Sequence, residues 1–349
     1  MNLIKIYREK YSFQIDSSFI FINDEKGLEK LDNNLNVLWK CSKVGKKITI
    51  NNIDYFEDSD SIFTIDEKGN YSILFDNQII ICNSENYYIY NDLNNYPSIN
   101  ISNLRSNMLI NKDIISHYNL LNENKEFIHF FYQTFNNDFH LENKFSAIEI
   151  NKNNLKILNL WTFEYSFSKY YNELHLDYEE TKLEKFIGVY ENELWILFSG
   201  NRILVLDINT GEELHQFEAL NKTLETSFFV NNCFLDEANG TIKILAYLYY
   251  IEIDIETKIA SIKKEFKDFS MVNGSYYGGD IIYFVGNNKS KSISNNIAGI
   301  FNTKTLEIEW NYELEIKDKF HFFVDVPQAN DKYFGIKDSE NTLYLFERE

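Results

Sequence analysis

Along residues 202–217, RILVLDINTGEELHQF, an apolar run sets Ile203 and Val205 against Leu204 and Leu206, breaks off at Asp207-Ile208-Asn209-Thr210-Gly211, and a second short run ends on Phe217. A period of two interrupted by turn formers predicts strand, tight turn, strand. The surrounding unit divides into four such strands, at 186–190, 193–198, 202–207 and 213–217. The phrase recurs. Aligned on Asn209, KLDNNLNVLW places Asp32 at the turn and ends on Trp39, and AIEINKNNLKILNLW places Asn151 and ends on Trp161. IEIDIETKIASIKKEF places Glu256 and ends on Phe266, GIFNTKTLEIEW places Asn302 and ends on Trp310, and a truncated copy, TLYLFERE, reaches Glu347. Well-defined neighbours lie roughly 45 residues apart, the size of a four-stranded propeller blade.

Between Asp32 and Asn151 there is room for one further copy, with two candidate registers: GNYSILFD (69–76) and YYIYND (87–92). Either gives seven units, with six and eight as the alternatives. The last unit has three strands, near 321–326, 332–337 and 342–346, and a spare strand at 3–7 precedes the first unit. Pairing the spare strand with the last unit would complete it and cover an open sheet edge. The expected architecture is therefore all-β, a β-propeller of seven four-stranded blades over 1–349. Irregular insertions are expected near 92–125 and 163–185. Helical periodicity is scarce, and its best candidate is YYNELHLDYEETKLEKF, from Tyr170 to Phe186.

LDINTGEEL, with an aromatic residue closing the next strand, resembles the repeat of pyrroloquinoline-quinone-type (quinoprotein-like, WD40-like) β-propellers. The likeness covers one unit well, four loosely and two poorly, so it concerns the fold. It implies that Trp39, Trp161 and Trp310, with Phe217 and Phe266 as substitutes, dock neighbouring blades. Elementary packing agrees, because a large aromatic on an outer strand buries area between units that cannot bury their faces alone. The cofactor is not implied. The chain has no adjacent cysteines, no export signal, and no Glu/Asn/Asp cluster that matches a quinone and calcium site, so no cofactor is expected.

Composition narrows the function without naming it. The 349 residues carry 34 Lys and Arg against 53 Asp and Glu, a formal net charge of −19. Nucleic acid and anionic membrane surfaces both require a basic stripe, which is absent from the sequence. A strongly acidic surface favours solubility and a basic protein partner. Cys41, Cys82 and Cys233 are widely spaced and odd in number, as expected of buried thiols in a reducing compartment. The N-terminal stretch meets charge within six residues, so the expected address is cytoplasmic.

Catalytic motifs are scarce. His117, His129, His140, His175, His215 and His321 form no HExxH or His-x-His pair, and no GxSxG, P-loop or GxGxxG occurs. Glu57-Asp58-Ser59-Asp60 lacks the glycine and distal glutamate of a calcium loop, and reads as a solvated turn. No catalytic or metal residue is assigned. The candidate partner-binding residues are Tyr170, Tyr171, Glu173, Asp177, Tyr178, Glu179 and Glu180, where aromatics alternate with acids outside the blade frame. A local element packing its own aromatics is the structural alternative for that segment. The expected function is a non-enzymatic protein-binding propeller, in its most specific form an immunity-type inhibitor of a basic toxin. The alternatives are an enzyme or carbohydrate-binding propeller using a central funnel, and a scaffold in a larger assembly.

Overall fold

In a computed structural model of the chain, the residues described are 1–50, 53–58, 61–76, 78–83, 88–92, 99–102, 107–111, 119–135, 141–154, 156–165, 170–172, 177–179, 181–217, 228, 230–288, 295–315, 318 and 320–348. Almost all regular structure in them is antiparallel strand.

Seven four-stranded sheets are continuous in sequence, each pairing its strands in chain order. The first comprises Ser12–Ile15, Ile20–Asp24, Gly27–Leu31 and Val37–Cys41, and the second Lys46–Ile50, Ile53–Glu57, Ser61–Ile65 and Tyr71–Asp76. The third is Gln78–Asn83, Tyr88–Asp92, Ile99–Ser102 and Asn107–Asn111, and the fourth Asn119–Glu123, Phe127–Phe135, Leu141–Asn151 and Ile157–Glu164. The fifth contains Leu183–Tyr190, Glu193–Phe198, Arg202–Asp207 and Glu213–Phe217. The sixth runs through Cys233–Asp236, Thr241–Ala246, Tyr249–Asp254 and Ile259–Glu265, and the seventh through Phe269–Tyr276, Ile281–Asn288, Ile297–Asn302 and Glu307–Glu313.

An eighth sheet is assembled from both ends of the sequence. Phe323–Ala329, Tyr333–Asp338 and Leu343–Glu347 pair in order, and Asn2–Tyr7 adds as the fourth strand with Asn2 opposite Glu347 and Tyr7 opposite Leu343. Repeated four-stranded meanders, the last completed by the N-terminal strand, are the sheet pattern of the β-propeller class.

The total among the described residues is thus eight, one more than the seven expected. The miscount lies between Asp32 and Asn151. The two registers weighed there as alternatives are strands of different sheets: Tyr71–Asp76 is the fourth strand of the second sheet and Tyr88–Asp92 the second strand of the third. The expected insertion at 92–125 is likewise regular in part, since it supplies Ile99–Ser102, Asn107–Asn111 and Asn119–Glu123. The helical candidate at 170–186 contains a two-stranded hairpin, Tyr170–Asn172 with Asp177–Glu179, and the start of the fifth sheet. Its aromatic residues, Tyr170, Tyr171, Tyr178 and Phe186, favour strand and outweighed a mixed helical period.

The chain divides into two compact units. One is Met1–Gly45, Asp66–Asn70 and Leu224–Glu349, and the other Lys46–Ile65 with Tyr71–Thr223. The first, sixth, seventh and eighth sheets belong to the former, and the second to fifth belong to the latter apart from the Asp66–Asn70 turn.

Within a sheet, burial follows strand position. In the fifth, Glu193–Phe198 and Arg202–Asp207 are buried almost throughout, whereas Glu213–Phe217 is exposed at its start and buried at Phe217. Continuous apolar runs therefore mark strands covered on both faces, whereas the last strand is buried only at its closing aromatic.

The turn after the third strand carries the repeat. Asp32, Asp66, Asn151, Asp207 and Asn302 each accept two backbone N–H groups through a side-chain oxygen, for example Asp207 Oδ1 from Asn209 at 2.8 Å and Thr210 at 2.9 Å. Asp254 accepts from Thr257 at 2.7 Å. This side-chain turn replaces the proline the sequence rarely uses. Judged by this role, Asp207 and Asp254 are the counterparts of Asp32, so the sequence alignment on Asn209 and Glu256 was displaced by two residues at those copies.

Candidate functional site

A cavity with polar and charged walls lies within the unit that holds the first, seventh and eighth sheets. It encloses about 510 Å³ and is lined by Tyr11, Ser12, Phe13, Tyr277, Asp325, Val326, Pro327, Gln328 and Lys337. That volume is in the range of small-ligand pockets.

A break in the eighth sheet creates it. Pairing of Phe323–Ala329 with Tyr333–Asp338 is regular at Phe323 and Val324, then slips and resumes at Gln328. Between them Asp325 takes a left-handed conformation, φ 67°, which asparagine and aspartate tolerate better than other side chains. Pro327, with no N–H to lose, is a residue suited to a bulge. Its carbonyl accepts Ser275 Oγ at 2.6 Å and Tyr277 Oη at 3.4 Å, tying the bulge to the seventh sheet. On the other side the Gln328 side chain acts as an extra ladder rung. Its Nε2 donates to the Phe13 carbonyl at 2.9 Å and its Oε1 accepts the Ile15 N–H at 2.9 Å.

Charge is disposed unevenly around the cavity. The Lys337 side chain is 10 % exposed, and its Nζ donates to the Tyr11 carbonyl at 2.6 Å and lies 3.1 Å from Asp325 Oδ2. The Asp325 side chain is 55 % exposed. Tyr11 Oη donates to Glu25 at 2.5 Å, and that bond, with some burial and the nearby charges of Glu25, Glu9 and Asp24, raises the phenol's pKa.

Two other polar clusters have structural geometry. In the eighth sheet, buried Asp338 meets His321 Nε2 at 2.9 Å and accepts Tyr344 Oη at 3.0 Å on Oδ2, while Oδ1 accepts the N–H groups of Glu340 and Thr342 at 2.9 and 2.8 Å. His321, Asp338 and Glu340 offer ligand atoms within 4.8 Å of one another. A cation there would have to displace the hydrogen bonds that hold the turn. In the sixth sheet, Lys243 and Asp236 form a buried pair at 2.8 Å, and Lys243 also donates to Tyr276 Oη at 3.3 Å and to the Gly279 carbonyl at 2.8 Å. Burial alone would raise the Asp236 pKa, but hydrogen bonds from Lys243 and Asn239 outweigh it and hold the carboxyl below its usual value. Both clusters satisfy their charges internally, as buried ionic groups must.

The residues singled out in the sequence fall as follows. Trp161 lies against Phe131 and Phe145, each at 6.0 Å between centroids, and reaches the fifth sheet, where its Nε1 donates to the Ile208 carbonyl at 2.9 Å. Trp310 meets Phe334 and Phe346 of the eighth sheet edge-on at 5.6 and 4.9 Å, and Phe266 meets Phe301 of the seventh at 5.2 Å. Trp39 lies 6.3 Å from Phe21 and Phe217 lies 6.0 Å from Trp195, both within their own sheets.

In the 163–185 segment, Tyr170, Tyr171, Asp177, Tyr178 and Glu179 belong to the two-stranded hairpin, which pairs Tyr170 with Glu179 and Tyr171 with Tyr178. Glu173 and Glu180 lie outside the described residues. At the start of the segment Tyr165 is buried and meets Phe198 at 4.8 Å, so this aromatic belongs to the core. His129 is buried 3.4 Å from Glu149, and His215 packs on Phe217 at 4.5 Å. His117, His140 and His175 are outside the described residues, as are Ser59 and Asp60 of the acidic run. Asp58 accepts the Ser61 N–H and hydroxyl in a turn. Cys41 and Cys233 are buried free thiols.

The cavity residues were not singled out from the sequence. The available signal was Pro327, one of only two prolines, set inside an alternating strand where it announces a bulge.

No family model matches the sequence, and neither does any curated protein. Solved structures do match in shape. The computationally designed Ika8 protein aligns with TM-score 0.59 at 10 % identity, covering 99 % of this chain and 98 % of that one. Apo AztD from Citrobacter koseri aligns with TM-score 0.50 at 10 % identity over 88 % and 86 %. The Cps50 (Swd1) beta-propeller domain of Myceliophteria thermophila aligns with TM-score 0.49 at 11 % identity over 100 % and 99 %. No helix among the described residues is long and apolar enough to cross a membrane. What the chain shares with the designed protein and with AztD at such low identity is the fold.

Proposed function

We propose that this chain is a non-enzymatic binding protein that presents its acidic surface and inter-strand loops to a basic protein partner in the cytoplasm. The propeller-class fold supports a protein-binding or scaffold role. The observation that carries the reading is the charge: 53 acidic against 34 basic side chains. Several of the lysines are also drawn inward. Lys47 and Lys337 are buried while their partners Asp54 and Asp325 stay more exposed, so the carboxylates of these pairs face outward. Such a surface steers basic proteins and repels acidic ones. The sharpest form of the proposal is an immunity-type inhibitor that caps a basic toxin. A second reading, a small-ligand binder, is favoured by the 510 Å³ cavity.

The test is affinity capture of the tagged protein from its native cells across a salt series, followed by binding measurements on any purified partner. One stoichiometric basic partner whose affinity falls steeply with salt supports the proposal, and Glu179→Lys should weaken it and flatten the salt slope if the hairpin takes part. Retention of no protein at low salt, or of a partner indifferent to salt, refutes the electrostatic reading.

A further inference from the structure

We infer that the cavity beside the eighth-sheet bulge is a recognition pocket for a cationic group, a guanidinium or alkylammonium. This inference names the chemistry at one point of contact and rests on the basic-partner reading for its biological source. Its walls carry the features that bind organic cations. Tyr11 and Tyr277 both line the cavity and are 47 % and 57 % exposed, so each offers aromatic surface to solvent. A ring face attracts a cation through its quadrupole, and a carboxylate beside it adds a charge-assisted hydrogen bond. Asp325 supplies that carboxylate, 55 % exposed although its backbone lies in a strand; Lys337 Nζ stands 3.1 Å from its Oδ2, so the contact offered to a ligand is through Oδ1. The bulge puts it there at the expense of a left-handed φ of 67°. Conformations of this kind persist where the surroundings hold them and cluster at functional sites.

The same walls do not suit the other ligand classes. An anion would look to Lys337, but that ammonium is nearly buried and already bonded to Asp325 and the Tyr11 carbonyl. Glu9, Asp24 and Glu25, whose charges reach Tyr11, add negative potential on that side, offset in part by the Lys10–Asp24 pair. A neutral sugar needs spare amides and hydroxyls. Gln328 is engaged at both ends of its amide, and Ser12 Oγ already accepts Asn23 Nδ2 at 3.0 Å. A cation matches what remains.

The probe is N-acetyl-arginine methylamide, titrated into the full chain by isothermal calorimetry or NMR, with the citrulline analogue as the uncharged isostere. Saturable binding of the arginine probe, at least about tenfold tighter than the citrulline analogue, is expected from one charge-assisted contact. Asp325→Asn keeps a residue that tolerates the left-handed backbone, and should weaken the arginine probe by about tenfold without changing the citrulline analogue. Tyr277→Leu, outside the Lys337 pair, should weaken it severalfold, and serves if Asp325→Asn proves unstable. Equal binding of the two probes, no saturation at tens of millimolar, or full affinity in both variants would overturn the proposal. If Asp325→Asn also weakens a captured basic partner, the cation is a side chain of that partner. Loss confined to the free probe identifies a small organic cation and leaves the pocket in place. A partner bound equally well by wild type and both variants, with no arginine binding, sinks the pocket and spares the basic-partner reading. Arginine binding without any basic partner does the reverse.

Discussion

Gly211 offers the sharpest test of how these sheets dock. It sits in the turn of the fifth sheet with φ 71°, and a Cβ built there would lie 2.6 Å from Trp161 Cδ2, 2.7 Å from Cγ and 2.9 Å from Cε3. Ordinary carbon contacts lie near 3.5–4.0 Å, so Gly211→Ala must push the indole back by roughly 1 Å. The left-handed backbone alone costs an alanine about 1 kcal/mol. Displacing the ring stretches the 2.9 Å bond from Nε1 to the Ile208 carbonyl, worth about 1 kcal/mol. It also loosens the contacts with Phe131 and Phe145, worth about 1 kcal/mol more. The expected loss is therefore about 3 kcal/mol in urea denaturation, summed from these contributions.

Gly279→Ala is the internal control. Its φ of 72° matches, but no heavy atom lies within 4 Å of the added Cβ, so only the backbone cost of about 1 kcal/mol should appear. In a Trp161→Ala background, Gly211→Ala should fall to that same value, giving a coupling of about 2 kcal/mol in the double-mutant cycle. Equal costs for Gly211→Ala and Gly279→Ala, or a coupling below about 0.5 kcal/mol, would refute the docking argument.

Three further outcomes follow from the same physical reasoning. Asp338→Ala strands His321, Tyr344 and the amides of Glu340 and Thr342 in the eighth sheet, and should cost at least about 3 kcal/mol in denaturant unfolding, against under about 0.5 for Glu340→Ala. Burial lowers the pKa of His129 despite the opposing charge and hydrogen bond of Glu149. The unfolded chain therefore binds the extra proton first as pH falls. The corresponding stability, whole above the ordinary histidine pKa of about 6.5, is lost below it down to the depressed folded value. Thermal melts between pH 7.5 and 5 should show this acid-side loss reduced in His129→Gln. Deleting residues 1–7 uncovers the edge of Leu343–Glu347 and should produce concentration-dependent association by light scattering, reversed by a peptide of residues 1–8.

The recurring turn explains how much could be read from the sequence. Arg202 through Phe217 announced strand, turn and strand because side-chain alternation and turn chemistry are local properties. For the same reason the second, third and fourth strands of the fifth sheet were predicted with the boundaries they have. The Asp32–Asn151 interval failed because GNYSILFD and YYIYND look alike whether they serve as second, third or fourth strands. Only pairing partners distinguish those positions.

Local pattern and composition were enough for the all-β class, the four-stranded unit, the acidic balance and the assignment of the N-terminal strand to the last sheet. Each follows from periodicity, composition or a strand left without a neighbour. The number of sheets and what each aromatic rests on depend on long-range pairing and packing. Trp161 needs the missing Cβ of Gly211, whereas the corresponding Leu306 packs against the cluster that holds Phe266. Tertiary structure also made the cavity. Tyr11, Tyr277, Asp325 and Lys337 are spread over more than three hundred residues of sequence, and no local rule relates them. They meet because antiparallel pairing of the two chain ends sets the first sheet beside the eighth, and a bulge at Pro327 turns Asp325 outward.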